Sequence, residues 1–419
     1  MPSVCFYFQV HQPLRVRKYR VFDVGENSSY FNDNSGTSLD NKAIIEKVAR
    51  KCYLPANATL LENIKNHPEF KASFSISGVA LEQFEKFAPE VIDSFKALVD
   101  TGNVELLSET YYHSLASIHN QEEFVHQVRL HRKKIRDLFS LTPTVFRNTE
   151  LIYSNEIAKK AEEMGYTGIL AEGADHVLGW RSPAFVYKPT GTEKIKLLLK
   201  HHRLSDDIAF RFSSREWPEF PLTAPKFADW VSSHNGNGQT INLFMDYETF
   251  GEHQWEDTGI FEFLRHLPRA ILEKGDNDFI TPSEAVERYE PQAELDIPYY
   301  VSWADTERDL SAWMSNDLQK EALETLYDLG KEIVHVDDLD LLEDWRRLQT
   351  SDHFYYMCTK WWNDGDVHKY FSPYESPYEA FIAYMNVMQD LRLRLNDAKK
   401  KQDHSVSLNK MRPLRFNME

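Results

Sequence analysis

Two carboxylic acids two positions apart, Asp246 and Glu248, follow an apolar run in the stretch NLFMDYETFGEHQW. On an extended strand, residues two apart point to the same face, so these two side chains leave the end of the strand together. Neighbouring acids repel each other when both are ionised, and this raises the proton affinity of one of them. The pair therefore has the chemistry of a general acid, although acids at such a junction can also be solvated or cap a helix.

An apolar run that ends in polar side chains recurs at several other points of the chain. The runs SVCFYFQV, NVELLSE and TVFRNTE each read as a buried strand that delivers a polar end. A further run, KIKLLLKHHRLSDDIAF, reads as a strand that breaks at a pair of aspartates, where an acid can orient a polar ligand or pair with a basic neighbour. The candidate residues at these points are His11, Glu105, Glu109, His113, Glu150 and Asp207.

Predicted strands alternate with helices over residues 1–300, which indicates a parallel sheet with crossover helices. The count of about seven strands favours a closed barrel, in which polar residues at the C-terminal strand ends gather in one place. Residues 301–400 carry apolar positions at helical spacing and predict a helical domain, followed by a polar tail at 401–419. The long segment 15–41 reads as a loop.

The composition restricts the class of partner. The chain has 419 residues, 42% of them hydrophobic, and a formal net charge of −17, which disfavours nucleic acid and anionic membranes as partners. Its 13% aromatic content suits stacking on sugar rings. No apolar run approaches the roughly 20 residues of a membrane span. Three widely spaced cysteines and an N-terminus that does not read as a signal peptide predict a cytoplasmic location.

Five motifs, in this order, resemble those of glycoside hydrolase family 57, and most closely its α-amylase branch. They are HQP at 11–13, GNVELLSE at 102–109, FRNTE at 146–150, DYETFG at 246–251 and DLSAWMSNDLQKEA at 309–322. The resemblance implies an incomplete (β/α)7 barrel at residues 1–300. It also implies a helical domain at 301–400 that completes the active-site cleft. The implied reaction is retaining cleavage of α-1,4-glucans, with no cofactor and no metal.

The resemblance also implies roles for individual residues. Glu150 matches the family's nucleophile and Asp246 its acid/base. His11, Glu105 and Glu248 match residues that line the sugar subsite, and Trp313 matches an aromatic wall in the helical domain. Glu109, His113 and Asp207 are added as predicted subsite residues because of their places near strand ends.

Two positions depart from the family pattern. Gln9 stands where many members have histidine, and Arg147 begins the segment Arg-Asn-Thr-Glu where the nucleophile motif is often Trp-x-Pro-Glu. The carboxylate pair is intact in spite of these changes. These departures leave the substrate and the type of transfer undetermined.

Three alternatives remain at the level of sequence. A 4-α-glucanotransferase or a branching enzyme would share the covalent intermediate with a hydrolase and differ only in the acceptor. A glucan-binding protein without turnover would keep the fold, although both carboxylates are present here. A metal-dependent deacetylase or mannosidase-like enzyme would use His11, His113, His201, His202 and Asp246 as ligands. Apart from the adjacent His201 and His202, which would face opposite ways on a strand, their spacing provides no motif of paired histidines. The sequence does not determine the oligomeric state.

Overall fold

The computed structural model describes residues 1–31, 40–360 and 372–410, and for 404–410 it describes only the backbone. The predicted loop at 15–41, the aromatic stretch at 353–371 and the tail at 401–419 therefore lie partly outside the described residues. The chain forms two compact units, Met1–Pro13 with Asp33–Ser311 and Leu14–Asn32 with Ala312–Glu419. The predicted domain boundary at residue 300 falls inside the first unit.

The first unit alternates strands and helices. Its strands are β1 (Ser3–Val10), β2 (Ala72–Ile76), β3 (Val104–Leu106), β4 (Val145–Arg147), β5 (Gly168–Glu172), β6 (Tyr187–Pro189), β7 (Lys196–Lys200), β8 (Thr240–Asp246) and β9 (Ala293–Leu295). Its helices are α1 (Asn41–Val48), α2 (Leu54–Asn66), α3 (Gly78–Phe87), α4 (Pro89–Val99), α5 (Ala116–His119), α6 (Gln121–Phe139), α7 (Asn155–Glu163), α8 (Asp175–Leu178), α9 (His202–Ala209), α10 (Ala224–Ser232), α11 (Ile260–Leu272) and α12 (Pro282–Arg288). A π-helical turn, Ala49–Tyr53, joins α1 to α2.

Seven of these strands close into a parallel barrel. One ladder runs β3-β2-β1-β8 and a second runs β4-β5-β7, with all of these pairs parallel. The ladders meet at two seams. At one, Arg147 N–H donates to Ser108 O at 2.8 Å, and at the other, His201 N–H donates to Asn242 O at 2.8 Å. The predicted (β/α)7 barrel is therefore confirmed, while β6 and β9 form a small ribbon beside β7.

Strand β1 shows how the sequence produces this barrel. All eight residues of SVCFYFQV are buried, which is typical of a strand covered on both faces. Because side chains alternate along a strand, Val4, Phe6, Phe8 and Val10 pack in the outer core with the helices. Cys5 and Tyr7 pack in the inner core with residues of other barrel strands. Each phenylalanine buried in this way contributes about 1.5–3 kcal/mol to folding.

The segment after β7 differs from the prediction of a long strand. The strand ends at Lys200, and helix α9 begins at His202 with His201 as its N-cap. The imidazole of His201 accepts a hydrogen bond from Leu204 N–H at 3.4 Å, and this contact favours a helical start. Asp206 and Asp207 consequently lie on a helix, where adjacent side chains point in different directions.

The second unit is helical, as predicted for residues beyond about 300. It contains α13 (Ser311–Met314), α14 (Asp317–Ile333), α15 (Leu339–Arg347), α16 (Ser351–Tyr355) and α17 (Pro377–Lys410), with α13 beginning at the last residue of the first unit. Helices α14 and α15 approach closely at Gly330, where an added Cβ would lie 2.2 Å from the Trp345 ring. Within the described ranges, no helix combines the length and the apolar character needed to cross a membrane.

Candidate active site

The polar ends of strands β1, β4 and β8 supply the centre of the candidate site. His11 follows β1, Glu150 follows β4 and Asp246 is the last residue of β8. The His11 ring stacks on the His113 ring with centroids 3.9 Å apart. His113 Nε2 in turn lies 3.3 Å from Glu150 Oε1. These contacts follow from the fold, because the carboxyl ends of parallel barrel strands lie at the same end of the barrel.

Two residues of the site have an unusual backbone conformation. Glu150 has φ 56° and ψ 26°, and His113 has φ 51°. Side chains other than glycine rarely adopt positive φ, and each such residue costs on the order of 1–3 kcal/mol. The surrounding structure therefore holds the two side chains in place at the expense of stability, a pattern common where residues carry chemistry.

The Glu150 carboxylate is oriented from two sides. His113 Nε2 contacts its Oε1, and the Trp303 Nε1–H donates to its Oε2 at 2.8 Å. The side chain is 20% exposed, so part of it is accessible to an incoming molecule. This arrangement is suitable for an acid that must attack a substrate from a fixed position.

His113, which contacts Glu150, also forms a buried ion pair with Glu109. His113 Nδ1 is 3.0 Å from Glu109 Oε2, and Gln9 Nε2 donates to Glu109 Oε1 at 3.0 Å. Burial lowers the pKa of His113, but its hydrogen bonds to Glu109 and Glu150 outweigh burial and raise the pKa to about 9. Burial raises the pKa of Glu109, yet the contact with His113 reverses this and lowers the pKa to about 2. At neutral pH an imidazolium therefore bridges two carboxylates.

Replacing His113 by glutamine is expected to lower the free energy of unfolding at pH 6 by about 3–5 kcal/mol, because Glu109 loses its hydrogen-bonded cation. The raised folded pKa stabilises the wild type below the unfolded value, and this stability is lost as pH rises through about 9. Urea unfolding at pH 6 and pH 9.5 should thus show a larger pH-dependent loss in the wild type than in the variant. A double variant, Glu109→Gln/His113→Gln, should regain part of the stability, and no recovery would contradict the pairing.

Asp246 and Glu248 both have raised proton affinities. Burial and then the negative charge of Glu150 raise the pKa of Asp246 to about 6, against the opposing charges of Arg147, His113 and Lys200. Asp246 is partly exposed at the end of β8. The position of Asp246 and its pKa are those of a group that can hold a proton for transfer near neutral pH.

Glu248 lies deeper than Asp246. Its carboxyl accepts hydrogen bonds from the Tyr53 hydroxyl and from the His11 N–H, the latter at 3.3 Å. Tyr53 ends the π-helical turn, an irregularity frequently found at functional sites. Burial first, and the charge of Asp246 second, raise the pKa of Glu248 to about 8. Glu248 is therefore largely neutral at pH 7 and is available as a hydrogen-bonding group.

Comparison with known proteins identifies the family. Residues 5–298 match the sequence profile of glycosyl hydrolase family 57. The chain belongs to this family. Membership makes it an enzyme of a glycoside hydrolase family and gives a context for the carboxyl groups at the barrel end.

Relatives within this family carry different activities in their names. A protein of Methanocaldococcus jannaschii, provisionally named alpha-amylase, is 43% identical over 406 residues, covering 94% of this chain and 85% of that protein. The structure of a family 57 branching enzyme from Pyrococcus horikoshii aligns with TM-score 0.66 at 15% identity, covering 88% of this chain and 87% of that one. A 4-alpha-glucanotransferase from Thermococcus litoralis aligns with TM-score 0.57 at 18% identity, covering 88% of this chain and 54% of that one. At these identities, the two structures establish a shared fold.

A second group of charged residues in this family 57 enzyme was not predicted from the sequence. Lys200 Nζ lies 2.9 Å from Asp206 Oδ1 and 3.3 Å from Glu172 Oε2. Arg308 bridges the same two acids, at 3.2 Å to Glu172 and 3.1 Å to Asp206. The signal that could have found Glu172 and Lys200 is a charged residue at the end of an otherwise apolar strand, in GILAE and KLLLK. Nothing local in the sequence marks Arg308.

Three predicted site residues are not brought to this centre by the described contacts. The Glu105 carboxylate accepts from Ser283 N–H at 2.9 Å, beside the start of α12, and its place in the sugar subsite stays a prediction. Asp207 pairs with Arg211 at 2.6 Å, while its neighbour Asp206 contacts Lys200 and Arg308, and the subsite role of Asp207 also stays a prediction. Trp313 is buried and belongs to the second unit, so its role as an aromatic wall stays a prediction.

The histidines considered as metal ligands are engaged in other contacts. Among residues 1–31, 40–360 and 372–403, no three His, Cys, Asp or Glu side chains group as ligands for a metal ion. Both ring nitrogens of His113 contact carboxylates, Nδ1 that of Glu109 and Nε2 that of Glu150. His201 caps α9, and burial lowers its pKa to about 4. The contacts of these two imidazoles thus give no support to a metal-dependent reaction.

Proposed function

We propose that this enzyme hydrolyses α-1,4-glucans with retention at the anomeric carbon, using Glu150 as the nucleophile and Asp246 as the acid/base. The observation that carries the proposal is geometric: Glu150, held by His113 and Trp303, and Asp246, the last residue of β8, both lie at the C-terminal end of the barrel. Burial first, and the charge of Glu150 second, raise the pKa of Asp246 to about 6. Carboxyl groups from two different strands thus act on each other, as the two acids of a retaining glycosidase must. The substrate is neutral, so the net charge of −17 does not repel it.

The effect of the Glu150 charge on the pKa of Asp246 allows Asp246 to act first as an acid and then as a base. While Glu150 is ionised, Asp246 retains a proton and can deliver it to the glycosidic oxygen as Glu150 attacks the anomeric carbon. Formation of the glycosyl ester removes the negative charge of Glu150. The pKa of Asp246 then falls, and the carboxylate can take a proton from the water that attacks the intermediate. The hydrogen bonds from His113 and Trp303 keep Glu150 aimed during both steps.

The pH dependence follows from the same groups. Because the first step needs protonated Asp246, whose pKa is raised to about 6, we expect kcat/KM for a maltooligosaccharide to fall as pH rises above about 6. In Glu150→Gln the repelling charge is absent, so the Asp246 carboxyl should titrate at lower pH. Carbon-13 NMR of aspartate carboxyls, assigned by the resonance that Asp246→Asn loses, measures this shift. An unchanged titration in Glu150→Gln would show that the two acids do not interact.

The type of reaction is tested by its products. The relative at 43% identity, named for α-amylase activity, favours hydrolysis over transfer. Purified enzyme is incubated with maltoheptaose and with soluble starch, and products are resolved by size, by reducing ends and by anomeric configuration. Short α-configured reducing products support retaining hydrolysis. Longer and shorter chains without new reducing ends indicate a glucanotransferase, new α-1,6 branches indicate a branching enzyme, and no product indicates a glucan-binding protein.

A further inference from the structure

The loop Ser302–Asp309, called here the Trp303 loop, packs against Glu150. Tyr153 and Val301 form an antiparallel bridge, so the chain that enters the loop runs beside the chain that leaves Glu150. Trp303 N–H donates to the main-chain oxygen of Glu150 at 3.2 Å, and Trp303 Nε1–H donates to its carboxylate at 2.8 Å. One residue therefore holds both the backbone and the side chain of the proposed nucleophile.

Arg308 closes the Trp303 loop and connects it to the barrel. Its Nη1 donates to the Trp303 carbonyl oxygen at 2.6 Å, and its own carbonyl accepts from Ser302 N–H at 3.1 Å. The same guanidinium binds Glu172 at the end of β5 and Asp206 on α9. Arg308 itself has φ 55°, a conformation that arginine rarely adopts without such contacts. The loop is thus fixed to rigid elements by one planar, multiply bonded side chain.

Two cations also lie against the indole of Trp303. The guanidinium of Arg147 lies 4.9 Å from the ring centroid, and Lys200 Nζ lies 5.6 Å from it. Arg147 is fully buried, and no hydrogen-bond acceptor contacts its guanidinium nitrogens within the described residues. Positive charge at the ring withdraws electron density and makes the indole N–H a stronger donor.

We infer that the Trp303 loop is a positioning device for Glu150, in which Trp303 donates to the carboxylate and Arg308 acts through Trp303. Both are positioning residues, since Glu150 alone would touch the reacting carbon. The inference rests on the proposed role of Glu150. It adds a group that keeps the nucleophile ionised and aimed, because a hydrogen bond to a carboxylate favours its charged form.

The first test is Trp303→Phe, which keeps an aromatic ring and removes the donor. We expect kcat on maltoheptaose to fall about 10- to 100-fold while KM changes little, because the nucleophile and not the sugar is displaced. The acid limb of the kcat/KM profile should move to higher pH by about one unit, since the carboxylate loses a stabilising donor. The basic limb, set by Asp246, should stay where it is. Trp217→Phe, at a tryptophan packed against Trp230, is the matched control and should behave as wild type.

The second test is a double-variant cycle with Arg308→Gln. Alone, this change should lower kcat about fivefold or more and move the acid limb in the same direction as Trp303→Phe. Combined with Trp303→Phe, its effect should be clearly smaller than in the wild type, because the donor through which it acts is gone. Arg269→Gln on α11, which breaks an exposed pair with Glu273, is the control.

The outcomes separate this inference from the proposed function. If Trp303→Phe leaves the acid limb in place, or if the two changes multiply, the positioning role is wrong even though Glu150→Gln is inactive. A general loss of folding would lower the melting temperature and the yield of active enzyme without moving the pH limb, and would likewise overturn it. If Glu150→Gln remains active, the proposed function itself fails.

Discussion

Replacing Glu150 by glutamine is expected to lower kcat on soluble starch at least about 1,000-fold, because the amide cannot form the glycosyl ester. The change keeps the size of the side chain, and its carbonyl oxygen can still accept from Trp303. Folding should therefore be preserved, which near-ultraviolet circular dichroism can verify. The measurement is the initial rate of product formation, with enzyme concentration raised to detect the residual activity.

A neighbouring glutamate provides the control for this experiment. Glu156, on α7, has a side chain that is 79% exposed and pairs with Lys159 on the helix surface. Glu156→Gln should retain wild-type rates. A smaller variant, Glu150→Ala, can be supplied with azide, which should restore turnover and yield a β-glycosyl azide, because the small anion enters the space of the missing carboxylate. Near-normal turnover in Glu150→Gln would remove Glu150 from the role of nucleophile.

Replacing Asp246 by asparagine is expected to lower kcat on natural glucans by a similar factor, about 1,000-fold, because neither step then has a proton donor or acceptor. The effect should depend on the leaving group. With an aryl maltooligoside whose leaving group needs no proton, the first step should survive and the second should become limiting. A burst of released phenol, equal to the enzyme concentration and followed by slow turnover, is the expected result.

Asp229→Asn is the matched control, since Asp229 lies on α10 with a 63% exposed side chain that pairs with Lys274. It should show no burst and an unchanged rate. If Asp246→Asn slowed natural and aryl substrates equally, with no burst, Asp246 would be acting on binding and not on proton transfer. That result would leave Glu248 as the next acid to examine, since its pKa is also raised.

The sequence by itself determined the barrel and the polar ends of several of its strands. Runs such as SVCFYFQV carry apolar residues on both faces, which favours a strand covered on both sides, so a parallel sheet follows from local physics. The residues that terminate β1 and β8, and the acid that follows β4, were identified because polar residues interrupt these runs. The motifs then identified the family without any knowledge of contacts.

The contacts of the polar side chains along a strand were determined by the tertiary structure. Glu105 and Glu109 are four positions apart in one segment, yet Glu105 contacts Ser283 while Glu109 contacts His113. Nothing in the run NVELLSE distinguishes these two environments, because they depend on which strands and helices pack beside it. The adjacent residues Asp206 and Asp207 also have different partners, Lys200 and Arg211, which the sequence did not indicate. They lie on a helix in place of the predicted strand, and this changes where each side chain points.

The contacts that hold Glu150 in place were also determined by the tertiary structure alone. Arg308 and Trp303 lie more than 150 positions from Glu150 in sequence, in a segment whose pattern predicted only the approach to a helical domain. Their contacts arise because the chain returns to the C-terminal end of the barrel after its last strand. Local periodicity reports burial and secondary structure, whereas hydrogen bonds between distant segments and the pKa shifts they cause exist only once the barrel has closed.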